Sequence, residues 1–302
     1  MIRIARAVPA AVVLTGTLAA TACGSDPLGE NSRGDGDTTI VVGSQDYYSN
    51  EIIAEAYAQA LEKGGYDVDR QFRIGQREAY LPELESGGID LFPEYSGPVL
   101  QYWEPETPAR LPEDVHDALK DAAPEGLTVL PQAPAADQDS YVVTREFSEK
   151  WDVHTVEDLA KVTGRMTLGA NSEAENRPNG PKGLKETYGV DVGFTPIEDS
   201  GGPLTVKALK DGDVDLSIIY SADPAIEQNN LVVLEDTKGL FLSSNVVPLA
   251  SDRVDDGAAS IINGVSEAMS SEDLVALNNR SVTEQLPASE IAGDWLTEED
   301  LL

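Results

Sequence analysis

Five of the ten tyrosines in this chain, Tyr47, Tyr48, Tyr95, Tyr141 and Tyr220, fall at the ends of apolar runs or at joints between them, although aromatic residues make up only 6% of the sequence. A phenol ring presents a negative face that attracts a cation, by about 0.5–1 kcal/mol when exposed and about 2 when dry. That chemistry suits a quaternary ammonium group, which neither donates nor accepts hydrogen bonds. Three rings in a closed cleft would supply roughly 6 kcal/mol before the costs of binding. One tyrosine taken alone more often just packs its ring in a half-buried position. Two of these tyrosines, however, close matching segments. Leu84-Glu-Ser-Gly-Gly-Ile-Asp-Leu-Phe-Pro-Glu-Tyr95-Ser96 aligns without a gap on Leu209-Lys-Asp-Gly-Asp-Val-Asp-Leu-Ser-Ile-Ile-Tyr220-Ser221. Each reads as a helix end, a glycine stop and a short apolar strand. Both tyrosines then leave the carboxyl end of a strand, where open α/β sheets place ligands.

Other chemistry is thinly provided. The two histidines, His116 and His154, sit in charged, surface-like surroundings. No H-E-x-x-H, C-x-x-C or G-x-S-x-G pattern occurs, so zinc hydrolysis and the serine elbow lack their signatures. Gly201-Gly202-Pro203 at a helix start could hold an anion, but a glycine pair alone is weak evidence. Carboxylates are abundant enough to supply a glycosidase pair anywhere, which leaves a secreted carboxylate-dependent hydrolase as an alternative. No metal and no cofactor is expected.

Lysine and arginine number 21 against 54 aspartates and glutamates, a net charge of −33. No basic patch is available to neutralise nucleic-acid phosphates or to dock on anionic lipid. The acidity reads as a solvated surface. Hydrophobic residues at 41% still allow a substantial core, and 302 residues allow two domains.

The first segment, residues 1–22, reads as a signal peptide: Arg3 and Arg6 lead, Ala7 to Ala20 is apolar, and Ala20-Thr21-Ala22 is a small-residue cleavage site. The single cysteine, Cys23, follows at once, so no disulfide is available. This arrangement resembles the lipobox of bacterial lipoproteins, which implies lipidation of Cys23, although Ala20 stands where leucine is usual. An ordinary secretory signal with an incidental cysteine is the alternative. Residues 23–37 are polar, Gly-rich and aperiodic, and read as a tether.

From residue 38 the pattern is α/β. Strands are predicted at 38–44, 71–75 and 89–92, separated by a helix from Ser49 and another over 78–85, the rhythm of a parallel sheet with crossover helices. Ser49 is the expected cap of the first helix, and Ile52, Ile53, Ala56, Tyr57, Ala60 and Leu61 form its apolar face before Gly64-Gly65. The pattern restarts with strands at 141–144, 166–169, 214–219 and 231–234. Helices are predicted over 156–162, opened by the box Thr155-Val-Glu-Asp158, and from Pro203. The tail from 257 is helical. Joints at 131–136 and 243–248 read as crossovers between two α/β lobes.

The chain resembles the substrate-binding lipoproteins of ABC transporters for glycine betaine, choline, carnitine and related osmoprotectants. The markers are Val42-Gly-Ser44, Asp90-Leu-Phe-Pro-Glu-Tyr-Ser-Gly97, Asp137-Gln-Asp-Ser-Tyr141, Glu175-Asn-Arg-Pro-Asn-Gly180, Gly202-Pro-Leu-Thr-Val-Lys-Ala-Leu209 and Asn245-Val-Val-Pro248. The resemblance implies a two-lobed type II periplasmic-binding-protein fold, each lobe a mainly parallel sheet flanked by helices. Lobe I would be residues 38–135 plus 246–302, and lobe II residues 136–245. It also implies an extracytoplasmic, membrane-anchored monomer that is not an enzyme, takes a quaternary amine and hands it to an ABC permease and its ATPase. The family's ring cage falls on Tyr95, Tyr141 and Tyr220, with Asp139 near the cationic head and Arg177 reading a ligand carboxylate. Gln45, Tyr47, Asn50 and Asn245 complete the expected lining. There are departures. Gln45 stands where a lysine is common, Pro98 where a threonine is common, and the last cage tyrosine is replaced by Ser244 or Asn245. Tyr47 or Tyr48, at the mouth of the first strand, could supply the missing ring. A different small ligand on the same fold, or service to a sensor or adhesin, remains open.

Overall fold

A computed structural model of the chain describes residues 38–302. The expected signal peptide, Cys23 and the tether lie outside the described residues. The chain builds β1 (Ile40–Gly43), α1 (Tyr48–Lys63), β2 (Val68–Gln71), α2 (Arg77–Glu85), β3 (Leu91–Tyr95), α3 (Ser96–Trp103), α4 (Pro112–Ala122) and β4 (Leu127–Val129). It then forms β5 (Asp139–Thr144), α5 (Arg145–Trp151), β6 (Met166–Ala170), α6 (Pro181–Tyr188), β7 (Val192–Pro196), α7 (Pro203–Asp211), β8 (Leu216–Tyr220), α8 (Ala225–Gln228) and β9 (Leu231–Val233). It closes with β10 (Val246–Ser251), α9 (Asp256–Ala268), α10 (Ser271–Asn279) and α11 (Ala288–Glu298). Two five-stranded sheets result, in the orders β2-β1-β3-β10-β4 and β7-β6-β8-β5-β9. Each has a parallel core, β2-β1-β3 in one and β7-β6-β8 in the other, with antiparallel strands added on one side.

Most predicted elements form, with informative shifts. The six apolar residues expected on one face of α1 are all buried. They pack in one cluster with Ile262 and Val265 of α9 and Ile291 and Trp295 of α11. Helix α1 begins at Tyr48, so Ser49 lies inside the first turn and does not cap it. The expected strand at 71–75 lies earlier because β2 pairs from Val68 opposite Ile40, and Arg73, at φ 57°, breaks extension beyond it. The box at Thr155 does form, Asp158 N–H donating to Thr155 Oγ1 at 3.2 Å and Thr155 N–H to Asp158 Oδ2 at 3.0 Å. It opens only a 3₁₀ turn, Glu157–Lys161, because Val156 and Leu159 bury at the three-residue spacing of that helix. Helices α3 and α4 were not anticipated, although Pro112, Glu113 and Asp114 form a regular helix start.

The repeat is structural. Gly87 and Gly212 both adopt φ 78°, the left-handed turn that glycine takes without strain. Three residues on, Asp90 and Asp215 each brace the neighbouring strand twice. Asp90 exchanges bonds with Val41 through its N–H (2.8 Å) and Oδ2 (2.9 Å). Asp215 does the same with Thr167, at 2.9 and 2.8 Å. At the far end Ser96 N–H donates to Asn245 O (2.9 Å) and its Oγ accepts from Asn245 N–H (3.1 Å). Ser221 N–H donates to Gln138 O (2.9 Å) and its Oγ accepts from Gln138 N–H (2.8 Å). Asn245 and Gln138 lie on the two segments that pass between the sheets. Those segments also pair with each other, through Val246 N–H to Ala135 O (2.9 Å) and Asp137 N–H to Ser244 O (3.0 Å).

Removing either brace leaves a backbone N–H without its acceptor, a loss of about 1–3 kcal/mol. Asp215→Ala is expected to lower the urea-unfolding free energy by that amount, and Asp90→Ala by more, since Asp90 also accepts from Ser251 Oγ at 3.0 Å and lies 3.7 Å from Arg253 Nε. Because they sit in separate sheets, the double variant should lose close to the sum.

Candidate functional site

Strands β3 and β8 end on Tyr95 and Tyr220, and their matched serine clamps aim both ends at the gap between the sheets. Tyr47 joins them from the turn before α1. That turn is held by Asn50, whose Oδ1 accepts Gln45 N–H at 2.8 Å while its Nδ2 donates to Pro93 O at 2.8 Å. Tyr47, Tyr95 and Tyr220 line one central cavity of about 20 Å³ together with Gln45, Gln76, Arg77, Pro98, Asp137, Asp139, Arg177 and Ser244. The rings of Tyr47 and Tyr220 lie 5.0 Å apart between centroids at 32°. Tyr48 stands edge-on to Tyr47 at 6.4 Å. The Tyr95 hydroxyl is buried without a hydrogen bond of good geometry, although the hydroxyls of Tyr47 and Ser49 lie near enough to ease its ionisation. Burial keeps all three phenols protonated, their pKa values pushed above the ordinary range.

Four charged groups face this cavity, and the two cations are already paired. Arg77 forms a fork with Glu94, Nε to Oε1 at 2.6 Å and Nη2 to Oε2 at 2.9 Å, and the pair is almost wholly buried. Glu94 also accepts from the Tyr80 hydroxyl and, at 2.6 Å, from the Tyr95 N–H. Arg177 forks onto Glu78, Nε to Oε1 at 3.2 Å and Nη2 to Oε2 at 2.9 Å. The two aspartates take bonds from neutral donors. Asp137 Oδ1 accepts from Ala222 N–H at 2.7 Å and Ser221 Oγ at 3.4 Å. Asp139 Oδ2 accepts from Asn179 Nδ2 at 2.9 Å, and Asp139 lies directly across the β5–β8 pair from Tyr220. Burial raises the Asp137 carboxyl to about 7 against the pull of the Ala222 N–H, with Asp223 and Asp139 adding to the rise. Burial also raises Asp139, with Arg177 and Arg77 opposing. The arrangement is short of positive charge and rich in ring faces.

The lobes meet around this centre. Tyr48 Oη donates to Asp223 Oδ2 at 3.1 Å and Gln76 Nε2 to Ser200 Oγ at 2.9 Å, alongside the Arg177–Glu78 fork. A second small cavity of about 20 Å³ adds Asn171, Asn179 and Ser200. Wider clefts flank the centre. One of about 280 Å³ runs past Tyr48, Asp199 and Asp223, and one of about 490 Å³ runs past Gln101, Tyr102 and Lys182. Each central cavity has room for about one water, so anything larger can enter only if the walls move apart.

Among the expected residues, Tyr95, Tyr220, Tyr47, Asp139, Arg177 and Gln45 converge on the central cavity. Three others take different places. Tyr141 lies deeper in the second sheet, fully buried, its ring 4.8 Å from Phe241 and its hydroxyl donating to Asn179 O at 2.6 Å. It shares a strand face with Asp139 but stands two residues further from the cleft, so the aspartate takes the position at the gap. Asn50 spends both ends of its amide on the backbone, as described above. Asn245 donates to Ala133 O at 3.0 Å and so ties the crossing segments; the adjacent Ser244 lines the cavity instead. Asp137, Gln76, Arg77 and Glu78 were not singled out. Arg77 carried a signal: a cation in the first turn opposes the helix dipole and implies a specific carboxylate partner. Among the described residues no group of three or more His, Cys, Asp or Glu is placed to hold a metal ion.

Comparison with known proteins bears on the family and the fold. A family model described as the substrate binding domain of ABC-type glycine betaine transport system matches residues 38–298. The carnitine transport binding protein OpuCC of Listeria monocytogenes is 25% identical over 293 residues, covering 94% of this chain and 93% of that protein. The glycine-betaine-binding protein of Pseudomonas aeruginosa is 26% identical over 279 residues, covering 87% of this chain and 89% of that protein. Among solved structures, a glycine betaine/carnitine/choline ABC transporter component superposes with a TM-score of 0.69 at 22% identity, covering 87% of this chain and 99% of that one. At this identity the likeness carries the fold alone, and the fold is the two-lobed α/β architecture expected from the sequence.

Two outcomes follow from the buried charges. Glu94→Ala strands the Arg77 guanidinium and is expected to cost about 3–5 kcal/mol of stability in denaturant unfolding. Asp137 holds its proton more tightly folded than unfolded, where its pKa is about 3.9. Its stabilising contribution is therefore complete below about pH 4 and is lost as pH rises through about 7. Asp137→Asn should flatten the fall in stability across that window; an unchanged slope would remove the assignment.

Proposed function

The chain belongs to the family of substrate-binding domains of ABC-type glycine betaine transport systems, and from that premise we propose that it captures a quaternary ammonium solute between its lobes and delivers it to an ABC importer. The observation that carries this reading is the meeting of Tyr47 and Tyr95 from one lobe with Tyr220 from the other around a single cavity that also faces Asp137 and Asp139. Ring faces favour a cation, as do the two aspartates once ionised, and neither requires the hydrogen bonds that a methylated nitrogen lacks. Choline, glycine betaine and their relatives share that head group. The curated relatives are named for carnitine and for glycine betaine.

Binding on this reading makes and breaks no covalent bond. The cationic head parts Tyr47 from Tyr220 and displaces water. Closure of the lobes then dries the site, which strengthens each ring contact. Arg177, carried over from the family as the residue that meets a ligand carboxylate, borders the same cavity. The chain acts as a binding protein and not as an enzyme. It works outside the cytoplasmic membrane as a monomer held by lipid on Cys23, and its closed form docks on the permease. A carboxylate-dependent hydrolase is disfavoured by the match of residues 38–298 to a substrate-binding transport family.

Calorimetric titration with choline, glycine betaine, carnitine and proline betaine tests the class. Tyr95→Ala and Tyr220→Ala are each expected to weaken binding by about thirtyfold, corresponding to the roughly 2 kcal/mol of one dry ring contact. Tyr141→Phe should leave affinity within about threefold, since its hydroxyl serves the core. Heat of binding for none of the four solutes would end this reading.

A further inference from the structure

We propose that Glu78 is a specificity-determining residue: it occupies the guanidinium of Arg177 as a built-in carboxylate, so that the cleft takes a quaternary ammonium ligand bearing no carboxylate of its own, of the choline type. The proposal rests on the reading above and narrows it.

The geometry is that of a ligand carboxylate already in place. Glu78 stands in the first turn of α2 in one lobe, and Arg177 lies in the loop before α6 in the other. Their two near-parallel bonds, 3.2 and 2.9 Å, form the fork that an arginine otherwise offers an acid. Gln76 Oε1 accepts a further bond from Arg177 Nη2 at 3.4 Å. An incoming carboxylate must displace Glu78 or go without the arginine.

No other cation lining the central cavities is available to replace it. Among the described residues lining the central cavities and the clefts beside them, the cations are Arg73, Arg77, Arg177 and Lys182. Arg77 is held by Glu94 in a buried pair, whereas the exposed Arg73 and Lys182 line only the flanking clefts, outside the central cavities. Gln45 brings a neutral amide to the cavity. Counted as pairs, the arginines cancel, and Asp137 and Asp139 remain with neutral donors only. A singly charged cation complements that remainder. A zwitterion adds a negative group that meets two aspartates and an occupied arginine.

Titration calorimetry of the full chain with choline and with glycine betaine separates the outcomes. The wild type should bind choline more tightly than glycine betaine. Glu78→Gln should tighten glycine betaine by about tenfold or more, as a charge-assisted fork becomes available, and should move choline by less than about threefold. Glu78→Ala serves as the second variant. The glutamate side chain is 40% exposed, so both variants should fold, which thermal melting checks. Equal shifts for both ligands would mean that Glu78 only latches the lobes, and would overturn the proposal. So would an unmoved glycine betaine affinity, or a wild type that already prefers glycine betaine. In those cases the broader quaternary-amine reading stands. Binding of neither ligand, nor of carnitine or proline betaine, would remove that reading and this proposal together.

Discussion

The two serine clamps are the constraint on which the site depends. Ser96 and Ser221 each trade two hydrogen bonds with a crossing segment, and those segments pair with one another. The ends of β3 and β8 are thereby fixed to the same narrow bridge between the sheets. A tyrosine one residue before each serine has little choice but to face the common gap. The rest of the centre is arranged around that result. Asp137 lies on one crossing segment and Ser244 on the other, and both line the cavity. The bridge between the sheets and part of the cavity wall are one piece of backbone, so the placement of the sheets and of the rings is mechanically linked.

Charge is handled by a different device. The cations beside the cavity are matched by carboxylates, the partly exposed Arg177 by Glu78 across the lobes and the buried Arg77 by Glu94 inside one lobe. Burying such a pair rarely adds much stability, because desolvation offsets the attraction. Its value here is orientation. The Glu94 carboxylate also receives the Tyr95 N–H, which ties the ring-bearing end of β3 to the arginine. What remains in the cavity without a cation of its own is acidic, Asp137 and Asp139.

Much of this was legible in the sequence where the cause was local. The alternation and glycine stops that recur at Leu84 and Leu209 are backbone signals, and the structure repeats them down to equal φ angles at Gly87 and Gly212. The helical face of α1 was equally plain. Legibility ended where partners come from distant segments. Tyr141 and Asp139 lie on the same strand face, and only the depth of β5 in its sheet decides which of them reaches the gap. Asn50 looked like a polar ligand contact and proved to be a brace, because its partners Gln45 and Pro93 meet only in three dimensions. Glu78 and Glu94 were two acids among many until the fold set each beside an arginine.

The two sheets are unequal in how they draw on the chain. The second is assembled from one uninterrupted stretch, β5 through β9. The first needs β10 between β3 and β4, and the apolar face of α1 is covered only when α9 and α11 arrive. A polypeptide emerging amino end first can therefore complete its later half before its earlier one. The opening strands must wait, with the buried side of α1 bare, until α9 and α11 have been delivered.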